Sequence, residues 1–373
     1  MGLLACNNRS NQNIQSTQNN QSIQNNQISL DEAIGEMLLV GFRGTEIDST
    51  HHIWRDIRDY HVGSVILFDF DAPTGTRGRN IKSAEQVKAL CTQLHNLSPT
   101  LFIGIDQEGG NVSRLSTRYG FPKILSPQKS AQQGLESVRQ NARLTAEMLH
   151  SLGINLNFAP VADVDVNPAC PVIGQLERSF SADTTVVAEC CNIWIEEQEK
   201  QGVVSCLKHF PGHGSAKGDT HKGLVDVTKT WQPRELAPYR NHAITQSHNH
   251  AIMVMTAHVI NRKLDPQGLP ASLSPRITSY LRDTLGFNGV IVTDDLAMGA
   301  IDDQYTFEET IRMALDAGAD LLCLSNNGKR YDPDIVPKVV KIVKQLIADG
   351  TVSPDRILLS ASRIRTLKGK IAK

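Results

Sequence analysis

The chain has 373 residues, too many for one ordinary small domain. Its 38 Lys and Arg balance 39 Asp and Glu, for a net charge of −1, which argues against a main role in neutralising nucleic-acid phosphates. No run reaches about 18 apolar residues, the length a membrane-spanning helix needs. The seven cysteines have neither zinc-module nor CxxC spacing, so they read as small buried hydrophobes rather than a disulfide scaffold.

The first predicted unit is a tail. Residues 7–29 hold eight Asn and six Gln, and such a stretch cannot bury enough apolar surface to offset the entropy of ordering it. Residues 1–29 are therefore expected to be a disordered tether. Leu3-Leu4-Ala5-Cys6 resembles the end of a bacterial lipobox, whose cysteine is lipidated. That resemblance makes Cys6 a lipidation candidate and implies an anchored protein of the cell envelope; a cytoplasmic protein is the alternative.

From residue 30 to 373, β-branched runs alternate with longer amphipathic segments. Strands are expected at Met37–Phe42, Gly63–Phe68, Leu101–Asp106, Asn155–Pro160, Val203–Lys208, Ile252–His258, Val290–Asp294 and Asp320–Leu324. Helices are expected at Ser83–Leu97, Leu135–Leu152, Thr185–Gln201, Pro275–Leu285 and Phe307–Ala317, with Asp334–Ala348 and Ser353–Leu367 closing the chain. Alternation implies a parallel sheet, and eight repeats imply one closed TIM-type (β/α)8 barrel. An open dinucleotide-binding sheet would want G-x-G-x-x-G after an early strand, and Gly104–Gly109 lacks that spacing.

Five of the expected strands run into polar clusters at their C-terminal ends, where barrels keep their active sites: Asp106 to Glu108, Asp163 to Asp165, Lys208-His209, His258 and Asp294-Asp295. The segment Lys208–His221 has the glycines and proline of a loop and carries three histidines. Asp219 and His221 stand two apart, close enough for the carboxylate to polarise the imidazole and suit it to proton transfer near neutrality. A metal site of His209, His213 and His221 is weighed against this, but no helical H-x-x-x-H frames it. At the end of its strand, Asp294 reads as functional and Asp295 as a helix N-cap. Asp106 and Arg114 suit a polyol, with a structural ion pair from Arg114 to Asp106 or Glu108 as a compatible second role. His258 reads equally well as a satisfied histidine at a strand end.

In this order the motifs resemble the bacterial family 3 glycoside hydrolases. They are most similar to the single-barrel β-N-acetylglucosaminidases of peptidoglycan recycling, over roughly residues 31–367. The carrying segments are Lys208-His209-Phe210-Pro211-Gly212-His213-Gly214 followed by Asp219-Thr220-His221, then Val292–Met298, Asp106–Gly110 and Phe158–Val164. The family's P-V-I-G-x-R-S-F segment corresponds to Pro171–Phe180, with two additional residues before Arg178. The resemblance implies a retaining exo-β-N-acetylhexosaminidase acting on peptidoglycan fragments or related glycosides, without metal or other cofactor. It implies Asp294 as nucleophile and His221, polarised by Asp219, as acid/base. Asp106, Arg114, Arg178, Lys208, His209 and, more weakly, His258 would bind the sugar. The rivals are a β-glucosidase or β-xylosidase of the same superfamily, a metal-dependent hydrolase, and a non-catalytic cell-wall-binding lipoprotein.

Overall fold

The computed structural model describes residues 28–240 and 249–371. Cys6 and the Asn/Gln-rich stretch as far as residue 27 lie outside the described residues. All eight expected strands form: β1 (Leu38–Gly41), β2 (Ser64–Leu67), β3 (Phe102–Ile105), β4 (Leu156–Asn157), β5 (Val204–Phe210), β6 (Ile252–Thr256), β7 (Val290–Thr293) and β8 (Leu322–Leu324). They pair in parallel in chain order, with β8 beside β1. A parallel bridge from Val292 to Leu321 closes the ring, with Leu321 N donating to Ile291 O at 3.0 Å and Thr293 N to Leu321 O at 3.1 Å. Every residue of these strands is buried, which explains why most of their sequences run apolar instead of alternating.

Helices lie between the strands and stack their apolar faces on the barrel. The first, Leu30–Glu36, begins with a capping box in which Ser29 and Glu32 satisfy each other's amides. The expected helix at Leu135–Leu152 forms over that span and stops at Gly153, which adopts a left-handed φ of 81°. The helix His52–Asp59 has no counterpart in the sequence reading. Its N-cap is His51, whose Nδ1 accepts from Ile53 N, and histidine is not among the usual capping residues. The single helix expected at Pro275–Leu285 divides: Pro275–Ser279 is regular, then Tyr280–Thr284 widens, with Leu285 N bonded five residues back to Tyr280 O at 3.1 Å.

Buried ion pairs pack the N-terminal end of the barrel. Asp320, fully buried just before β8, accepts from Arg363 at 3.0 Å, Ser360 at 2.6 Å and Ile291 N at 3.0 Å, and also pairs with Arg282. Lys368 reaches Glu36 and Gly63 O in the same way. Among the described residues, no helix is long and apolar enough to cross a membrane.

Candidate active site

At the opposite, C-terminal end the strands open onto a cavity of about 390 Å³. Asp294 lies on its wall, immediately after β7, with its amide fixed to Thr256 O at 3.0 Å. Among the described residues its carboxylate accepts one hydrogen bond, from Asp295 N at 2.8 Å. Burial raises the Asp294 carboxyl, but the imidazoles of His258, His209 and His221 and the Asp295 amide outweigh it. The group is held below the ordinary aspartate range and is ionised near neutrality.

Asp295 is no helix cap. Its carboxylate takes Ser325 N at 2.9 Å and the Ser325 hydroxyl, so it ties β7 to the residue after β8. The following helical turn, Gly299–Asp302, has Met298 at its N-cap instead.

One wall is a buried network of alternating charge. Extended backbone after β3 turns Asp106 and Glu108 to one side and Gln107 to the other, where it donates to Ser113 at 2.7 Å. Lys208, on β5, is 2.8 Å from Asp106 and 2.7 Å from Glu108. Arg178 grips Glu108 with two parallel hydrogen bonds of 2.8 and 2.7 Å. Burial raises Glu108, yet Arg178 and Lys208 bring it down to about 2. Arg114 completes the wall, 3.5 Å from Asp106, so its ion-pair role and its place on the cavity coexist. The two additional residues before Arg178 are taken up by a turn at Gly174–Leu176 and by Glu177 at a φ of 56°, which leaves Arg178 pointing inward.

His209 faces the cavity with Nδ1 2.6 Å from Asp163. Burial raises Asp163, while His209, then His213, lower it further and keep it ionised. The other oxygen of Asp163 accepts His213 N at 2.7 Å, so one carboxylate orients His209 and anchors the root of the following loop. Gly214 is needed there because a Cβ would stand 1.8 Å from Val164 O. Beneath the root lies buried Glu235, against Gly212 and Ser215; burial pushes its carboxyl up to about 7.

The loop then swings out over the cavity. His221 lines the mouth with its side chain 64% exposed, and its Nδ1 is 2.8 Å from Asp219. With Nδ1 engaged, Nε2 remains for proton exchange. Burial raises Asp219, but the amide and ring of His221 lower it further, so the carboxylate is charged. The tip rests on the turn after β7: Ala300 N donates to Thr220 O at 3.1 Å, and a Cβ on Gly299 would meet His221 O at 2.7 Å.

Thus Asp294, Asp219–His221, Asp106, Arg114, Arg178, Lys208 and His209 gather at one end of the barrel. His258 does not reach the cavity. It is fully buried, with Nδ1 2.6 Å from Ser272 and Nε2 2.8 Å from Asp295 O, and it bears on the site through Asp294. The three loop histidines do not converge as metal ligands: His209 turns to Asp163, His213 to Thr220 and His221 to Asp219. From sequence, Glu108 stands out as one of the acids after β3 and a partner for Arg114, and Asp163 only as part of a polar cluster after β4. Their signal was position, since both follow strands at the barrel's C-terminal end.

Fold and site define a (β/α)8-barrel enzyme. The chain belongs to glycosyl hydrolase family 3, because the family's N-terminal-domain model matches residues 29–367. It is similar to a beta-hexosaminidase of Alkalilimnicola ehrlichii, 32% identical over 316 residues that cover 82% of this chain and 83% of the other. Among solved structures it is similar to a family 3 β-N-acetylglucosaminidase from a Paenibacillus species, with a TM-score of 0.82 and 32% identity over 92% of this chain but 63% of that one. The β-N-acetylhexosaminidase of Beutenbergia cavernae matches with a TM-score of 0.79 and 27% identity, over 92% of this chain and 99% of that protein.

Proposed function

We propose that the protein is a retaining, exo-acting β-N-acetylhexosaminidase that releases terminal N-acetylglucosamine from cell-wall fragments or related glycosides. The observation that carries this reading is an ionised Asp294 and a His221 paired with Asp219, the carboxylate and the imidazole lining the same cavity. Asp294 attacks the anomeric carbon as the bond to the leaving oxygen breaks. Protonated His221 gives that oxygen its proton. Neutral His221 then takes a proton from water, whose oxygen attacks the same carbon and frees Asp294. Asp219 holds the ring in one tautomer and stabilises its charged form. Asp106, Lys208, Arg178, Arg114 and His209 hold the sugar hydroxyls, and the relatives' named activities support N-acetylglucosamine as that sugar.

The test is turnover of an aryl N-acetylglucosaminide against the matching aryl glucoside, with trapping by a 5-fluoro glycosyl probe. The expected result is preference for the acetamido sugar and label on Asp294. Label on Asp295 or Glu108 would displace the mechanism, and preference for the glucoside would displace the substrate.

We also propose an envelope location through lipidation at Cys6, supported by Leu3-Leu4-Ala5-Cys6 and the polar stretch after it. Native protein should enter the detergent phase, and Cys6→Ser should release it. A native product found wholly in the aqueous cytosolic fraction would end the envelope reading and leave the catalytic one standing.

A further inference from the structure

Phe70 is an exposed aromatic on a segment held unusually firmly. It is 37% exposed, and of the large exposed hydrophobic side chains among the described residues it is the one that lines the catalytic cavity. It sits just after β2, where Phe70–Asp71 pairs antiparallel with Thr76–Arg77. Asn327, after β8, grips the backbone on both sides of Asp71, donating to Phe70 O at 3.0 Å and accepting from Ala72 N at 2.9 Å. Asp71 itself is buried and takes two hydrogen bonds from Arg43, at 3.0 and 2.9 Å, one from Arg79 at 2.6 Å and one from Thr74 at 2.5 Å. Arg77 stands 5.6 Å from the centre of the Phe70 ring and is itself held by Asp69 at 3.0 Å.

The part of Phe70 left exposed lies on the catalytic cavity, and its backbone is clamped to two other strand ends, so the ring is placed to meet a bound substrate. Lys208 and Arg178 line the same cavity and are buried, whereas Phe70 is partly exposed. In an exo-acting enzyme, the terminal sugar fills the deep part and the next unit of the substrate lies toward the mouth. We propose that Phe70 is the stacking platform of an aglycone subsite that takes a second pyranose ring, packed by its apolar face against the phenyl ring. A fixed aromatic suits this because little side-chain freedom is lost on contact. This inference rests on the glycosidase reading above.

The experiment measures kcat/KM of the full-length protein for two substrates. N,N′-diacetylchitobiose has a sugar aglycone, and N-acetylglucosaminyl fluoride has a one-atom leaving group with nothing to stack. The quantity read is the ratio of the two values. Phe70→Ala and Phe70→Leu should each lower the ratio by about tenfold, chiefly through KM for the disaccharide, and Phe70→Tyr should restore it. A ratio within twofold of wild type in both variants overturns the inference, whatever the absolute rates. So does a fall that Phe70→Tyr does not repair. Wild-type protein that cleaves neither substrate removes the functional reading and the subsite with it, an outcome distinct from an unchanged ratio.

Discussion

Two aspartates near β7 and β8, at opposite ends of the barrel, have opposite surroundings. Asp320, before β8, has no exposed surface and is met by two arginines, a hydroxyl and an amide. Asp294, after β7, lines the cavity and, among the described residues, has one amide and no guanidinium or ammonium bonded to it, with imidazoles near enough to keep it charged. A carboxylate fully paired with cations is a strut, because its lone pairs are committed. One kept ionised by nearby imidazoles retains lone pairs for a substrate carbon. On the proposed mechanism, the same residue type on the same scaffold is divided between stability and chemistry by which end of a strand it occupies.

The sharpest way to break this contrast is to remove each carboxylate in turn. Asp294→Ala should lower kcat by about 10⁴-fold or more, while thermal unfolding stays within about 1 kcal/mol of wild type. Asp320→Ala should do the reverse, destabilising by about 3–5 kcal/mol because Arg282 and Arg363 lose the carboxylate they share, with kcat of the folded fraction little changed. If denaturant unfolding shows both variants equally destabilised, the division of labour is wrong.

A smaller effect separates the fixed wall from the exposed loop. His221→Ala should slow substrates with poor leaving groups by about 10²–10⁴-fold and those with good ones far less, since only the former need the proton. Equal losses across a leaving-group series would place the acid elsewhere. The mildest chemical prediction concerns Gly299→Ala, whose methyl would crowd His221 O. It should reduce kcat by about tenfold with little change in KM, as expected for a displaced proton donor.

Glu235 gives a pH signature to the root of that loop. Its folded-state carboxyl sits near 7, above the ordinary glutamate range. Between that range and pH 7 the folded protein keeps a proton the unfolded chain has lost, so stability falls as pH rises through this window. Glu235→Gln cannot ionise. It should match wild type near pH 5 and exceed it at pH 8 by about 1–3 kcal/mol in urea unfolding. A difference that does not vary between the two pH values would mean the carboxyl does not titrate there.

The sequence by itself determined the barrel and most of the ring of groups around its mouth. Eight apolar runs at regular spacing leave few other ways to bury them, and Asp219–His221 is a local pair whose contact needs only two residues of backbone. Asp294 was legible because a charge ending an apolar strand is costly unless paired or used. What only the tertiary structure decided is which charged groups meet. Glu108 and Arg178 are seventy residues apart, and Lys208 joins them from β5. Asp295 and Asp294 are adjacent in sequence and both border the cavity, yet the carboxylate of one is tied to Ser325 and, among the described residues, that of the other accepts a single amide. Buried His258 and the firmly clamped Phe70 depend on the same kind of long-range contact. Periodicity reports which face of a strand is apolar, since that is a local property of the chain. The partners of a polar side chain are set by closure of the barrel, which brings strand ends from distant parts of the sequence within hydrogen-bond reach.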